Sequence, residues 1–149
     1  MKMKTNKFFD GLLLATAALL LCACAAASKP PATLYERLGG APVMTGVIDS
    51  TMDRTATSPL TQRSFEGVKL PYLKMSVNAH ICAVAGGGCE YDGETMARTH
   101  QAVKIQPSEF DAMVTILREE LDRAGVNSSA KNDLLRLLAP MKRDIVPTN

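Results

Sequence analysis

The sequence predicts an all-α domain. Apolar residues recur three and four apart, alternating β-branched runs are absent, and proline and glycine stand where helices should start and stop. Of the 149 residues, 46% are hydrophobic and 21% charged, which suits one core in one domain and argues against wholesale disorder. No period of roughly 20 to 50 residues repeats, so the chain is not a solenoid.

Residues 1–23 read as an address. Lys2, Lys4 and Lys7 precede an apolar run from Gly11 to Leu21. That run is too short to span a bilayer, which takes about 20 apolar residues. It ends in Leu21-Cys22-Ala23-Cys24, which resembles the lipoprotein box of bacterial secretion. Cleavage after Ala23 would leave Cys24 as the lipidated amino terminus; Cys22 is less suited, because Leu21 is bulky at the cleavage position. The alternative is a plain signal peptide cut between Ala25 and Ala27. Residues 24–33, with Pro30 and Pro31, read as a tether, and 34–149 as the domain. The expected location is extracytoplasmic, anchored in a membrane by acyl chains, on the periplasmic side in a Gram-negative cell. The leader holds three of the 17 basic and one of the 15 acidic residues. The remainder is therefore neutral and has no electrostatic footprint for nucleic acid.

Met44, Val47, Ile48 and Met52 form the first helical stripe, with Pro42 near its start. Leu73, Val77, Ile81 and Val84 form the second. Pro71 opens it, where a missing N–H costs little, and Gly86-Gly87-Gly88 stops it. A loop from Cys89 to Thr95 leads to a short segment, Met96 to Val103. Phe110, Met113, Val114, Leu117 and Leu121 make the clearest stripe, between Pro107 and Gly125. The last helix starts near Ser128 and carries Leu134, Leu135, Leu138, Met141 and Ile145, with a kink expected at Pro140.

Four main helices could make a plain bundle. His100 argues otherwise. It follows a glycine-rich loop and sits four residues after Met96, on one face of a short segment. A neutral imidazole facing an apolar slot is what a haem iron needs as an axial ligand.

Leu34-Tyr35-Glu36-Arg37-Leu38-Gly39-Gly40 resembles the opening motif of the group 1 truncated haemoglobins. So does Gly86-Gly87 followed by Tyr91-Asp92-Gly93, Met96 and His100. Phe110-Asp111-Ala112, then Leu117, Leu121, Gly125-Val126 and Leu138-Ala139-Pro140, continue the likeness in order. The resemblance covers about 115 residues and implies a globin-like two-over-two helical sandwich around haem b. His100 would be the proximal iron ligand through Nε2, its Nδ1–H held by an acceptor such as a backbone carbonyl. Phe65 falls where the family keeps an aromatic against the haem. Ile81 and Met96 complete the expected contacts, with Met52, Leu73, Val77 and His80 around the distal side.

The departures bear on function. The family usually holds oxygen with a Tyr on the first long helix and a Gln on the distal helix; here those positions are Met52 and Val77, with Leu73 beside them. A partly negative O2 then lacks a hydrogen bond worth about 1 to 3 kcal/mol, so weak O2 retention and easy oxidation of ferrous iron are expected. His80 stands where the family usually has Phe. It is either a distal polar group or sixth iron ligand, or a rim histidine bonded to a haem propionate or water. Met52 as an iron ligand is a further option. Tyr72 points off the pocket, and Tyr91 is structural or at the haem edge. Lys69, Lys74 and Arg98 are candidates to meet a propionate.

Cys82 and Cys89 are expected to form a disulfide, the default in an oxidising compartment. A zinc site from His80, Cys82, Cys89 and His100 is disfavoured, since His80 and Cys82 face apart on a helix. A thioether from Cys82 to haem is the third option, although no CxxCH motif is present. Arg118, Glu119, Glu120, Asp122 and Arg123, and likewise Lys142, Arg143 and Asp144, read as solvated faces.

The functional expectation is a haem protein that binds a diatomic gas (O2, CO or NO) or cycles its redox state with a partner protein. NO dioxygenase or peroxidase chemistry is the enzyme alternative, and a non-haem helical lipoprotein keeping the fold is the third.

Overall fold

The computed structural model describes residues 30–147, so the expected signal peptide, the lipidation site Cys24 and most of the tether lie outside the described residues. Among the described residues there is no strand, and no helix is long and apolar enough to cross a membrane.

The domain opens with α1 (Leu34–Arg37), whose first turn is closed by a reciprocal cap. The Thr33 hydroxyl accepts from the Glu36 N–H at 3.2 Å, and the Glu36 carboxylate accepts from the Thr33 N–H at 2.8 Å. The long helix α2 (Gly40–Thr57) follows, then a 3-10 turn at Gln62–Phe65 and α3 (Leu70–Val84). Pro71 sits in the first turn of α3, and Gly86, at φ 79°, ends it as the glycine run predicts. After the loop come α4 (Met96–His100), α5 (Pro107–Arg123) and α6 (Ser128–Leu138). Pro140 falls in a 3-10 turn, Ala139–Met141, that turns the chain into α7 (Lys142–Ile145). Its missing N–H breaks the helix there, as expected.

α2 packs on both α3 and α5, α5 meets α6, and α1 closes against α6. The result is the two-over-two helical sandwich. Met44, Val47, Ile48, Thr51, Met52 and Thr55 point inward from one face of α2, meeting Leu38, Leu121 and Leu134 in the core. The buried Thr51 and Thr55 hydroxyls donate back to the Val47 and Thr51 carbonyls, at 2.7 and 2.6 Å, so neither is left bare.

Two charged faces differ from expectation. Glu120 is not solvated: it is 4% exposed and accepts from Arg54 at 2.6 Å and from Arg123. It lies beside Leu121 on the flank of the apolar stripe, where α2 brings Arg54 within reach. Lys142 is half-buried, paired with Asp111 at 2.6 Å and 5.2 Å from the Phe110 ring centre, because the start of α7 comes within reach of the first turns of α5.

Candidate functional site

The sandwich leaves an apolar cavity in two chambers, of about 380 and 250 Å³. Phe65, Leu73, His100, Phe110, Met113 and Ile145 face both, so the chambers adjoin. Into the larger one α2 sends Met52, the 3-10 turn sends Phe65, and α3 sends Leu73, Val77, His80 and Ile81. α4 adds Met96 and His100. All eight residues expected to contact a cofactor therefore line one chamber. The i, i+4, i+8 spacing of Leu73, Val77 and Ile81 puts them on one face of α3, and the bend at Pro140 returns Ile145 to the cavity.

His100 is half-buried, and its Nδ1 lies 2.8 Å from the Met96 carbonyl oxygen one turn back. A carbonyl only accepts, so Nδ1 donates, and in the neutral ring the lone pair is then on Nε2. Thr95 caps α4, its hydroxyl accepting from the Arg98 N–H at 3.3 Å. α7 packs against α4.

His80 sits differently. Both ring nitrogens are buried and meet no hydrogen-bond partner among the described residues. Burial pushes its pKa below the ordinary imidazole value, so the ring is neutral. Tyr91 meets it edge-on, with ring centres 4.8 Å apart and planes at 65°. The Tyr91 hydroxyl donates to the Glu94 carbonyl at 3.2 Å, over Gly93, where a Cβ would collide with it.

Cys82 and Cys89 are joined in a disulfide, with Cα atoms 5.6 Å apart. The bond takes both thiols out of the zinc quartet and leaves Cys82 no sulfur for a thioether. Tyr72 is 69% exposed and points away, as expected. Of the three propionate candidates, Lys74 pairs with Asp53 at 2.7 Å and Arg98 with Glu94 at 3.5 Å, while Lys69 lies 6.0 Å from the Tyr72 ring centre. None of them lines either chamber.

Sequence reasoning missed Glu109, which is 6% exposed in the wall of the smaller chamber. Its carboxylate accepts from Arg63 at 2.6 Å, Ser64 at 2.8 Å and the Gln106 N–H at 2.7 Å. Burial alone would raise its pKa, but these hydrogen bonds outweigh burial and hold it below the usual carboxylate range. The Gln106-x-x-Glu109 spacing is a capping box and could have drawn attention to it.

Such a slot suits a flat, mostly apolar ligand with a metal at its centre. Its walls are carbon-rich, and the His100 imidazole brings a ring nitrogen not taken by the backbone bond.

The comparisons agree with this geometry. A family model described as Bacterial-like globin matches residues 33–146. Group 1 truncated hemoglobin GlbN of Nostoc commune is 29% identical over 114 residues, covering 76% of this chain and 97% of that protein. GlbN of Mycolicibacterium paratuberculosis is 28% identical over 115 residues, covering 77% and 85%. Among solved structures, the Fe(III) truncated hemoglobin of Tetrahymena pyriformis superposes with a TM-score of 0.74 at 20% identity, over 78% of this chain and 100% of that one. The 2/2 hemoglobin of Synechococcus sp., in the cyanomet state with covalently attached heme, gives 0.72 at 20% identity, over 77% and 98%.

Proposed function

Because the chain belongs to the bacterial-like globin family, whose members carry a haem, we propose that it holds haem b in this cavity through His100 and binds a diatomic gas there. Haem supplies an iron with a coordination position for the gas and a one-electron couple. The protein's part is to orient and to enclose. The Met96 carbonyl favours the His100 tautomer with the hydrogen on Nδ1, so Nε2 would be the ligating atom. Phe65, Ile81 and Met96 would give the ring apolar contact and keep water out. The disulfide supports haem b held without a thioether, since neither Cys82 nor Cys89 keeps a thiol.

Met52, Leu73 and Val77 offer the gas no hydrogen-bond donor. This favours simple gas binding or one-electron cycling with a partner protein over NO dioxygenase or peroxidase turnover, which rely on distal donors. By themselves these three positions would retain O2 weakly. The lipid anchor at Cys24 and the extracytoplasmic location belong to the same reading, on the strength of Leu21-Cys22-Ala23-Cys24. Metabolic labelling with a fatty acid, lost in Cys24→Ala, tests that part.

The observation that carries the proposal is His100, with Nδ1 bonded to backbone and Nε2 free at an apolar cavity. The purified protein, loaded with haem, should show a Soret band and a ferrous CO spectrum, and His100→Ala should lose haem on gel filtration. Equal retention by the variant would defeat the assignment.

A further inference from the structure

His80 brings to the larger chamber a polar ring that its apolar neighbours leave unpartnered. A buried polar atom without a partner is rare and costs stability, and both of its ring nitrogens are in that state among the described residues. The neutral ring keeps one N–H and one lone pair. It faces the same chamber as Met52, Leu73 and Val77, none of which can donate.

The ring is also held in place from behind. Tyr91 meets it edge-on at 4.8 Å, and Tyr91 is itself fixed by its bond to the Glu94 carbonyl. The Cys82–Cys89 disulfide ties the chain two residues after His80 to the chain two residues before Tyr91. A side chain braced this firmly, with its polar atoms left bare, is arranged for an occupant of the cavity.

We propose that His80 is the polar contact for the diatomic ligand, its N–H donating to the ligand's outer atom, with Tyr91 as a positioning residue. This rests on the haem reading above. The donor favours O2, which carries partial negative charge, over CO. It is the contact that limits O2 loss where the positions at 52, 73 and 77 give no help.

The test is the infrared C–O stretch of the ferrous CO complex in three proteins. His80→Phe keeps an aromatic ring and removes the donor, while His80→Gln keeps a donor without the ring. The wild type and His80→Gln should show a lower-frequency band than His80→Phe. O2 should leave His80→Phe about tenfold faster than the wild type. A shared band position in the wild type and His80→Phe overturns the proposal. So does a ferric wild-type spectrum that is low-spin and turns high-spin in His80→Phe, because His80 would then grip the iron itself. A wild type that never acquires a Soret band defeats the haem reading first, and this proposal with it.

Discussion

Arg63 and Glu109 lie 46 residues apart in sequence and meet at 2.6 Å. The pair fastens the 3-10 turn that carries Phe65 to the first turn of α5. Arg63 also donates to the Val103 and Lys104 carbonyls, at 3.3 and 3.4 Å, across the segment between α4 and α5. One guanidinium thus braces two walls of the smaller chamber.

This arrangement predicts how stability responds to acid. Glu109 and Glu120 both have pKa values below the usual 4.5, so their stabilisation is present above that value and is lost as the pH falls through their folded values. His80 acts in a different window. Its folded value lies below 6.5, so the unfolded chain takes up a proton first and stability declines as the pH drops below about 6.5. Thermal midpoints measured from pH 8 to pH 3 should show both limbs. His80→Phe should remove the upper one, and Glu109→Gln should flatten the lower one. An unchanged profile in His80→Phe would contradict the burial of its ring.

The disulfide closes a short ring at the end of α3. Chain entropy assigns a loop of this size about 2 to 3 kcal/mol, less any native strain. Reduction with a dithiol, or the Cys82→Ser, Cys89→Ser double variant, should lower the urea midpoint by a corresponding amount while the helical circular dichroism persists. No shift would mean that the ring leaves the unfolded chain unconstrained.

The apolar distal wall can be tested by supplying what it lacks. Leu73→Gln puts an amide N–H on the face of α3 that lines both chambers. A hydrogen bond of about 1 to 3 kcal/mol should slow O2 dissociation roughly 5- to 150-fold and slow autoxidation with it. Stopped-flow displacement of O2 by CO measures this directly. A rate equal to the wild type would show that position 73 does not reach the ligand.

The helices were legible because their apolar spacing and their proline and glycine stops are local signals. Residues 52, 65, 73, 77, 80, 81, 96 and 100 could be placed around one chamber because helical spacing and family order fixed their faces together. The charged anchors were not legible. Glu120 read as part of a solvated face and Glu109 drew no reading at all, since their partners Arg54 and Arg63 stand 66 and 46 residues away. A sequence shows the acid but not the distant cation that lets it be buried. The 3-10 turn at Gln62–Phe65 was also missed, for it has no apolar period of its own.

The break at Pro140 reaches further than its own turn. It swings α7 against α4, the five-residue helix that bears His100. How stiffly that imidazole is held thus depends on a buttress some 40 residues downstream, which also sends Lys142 and Ile145 to the ligand chamber. Directed evolution aimed at proximal bond strength should sample the carboxyl-terminal elbow as well as the residues that face the gas.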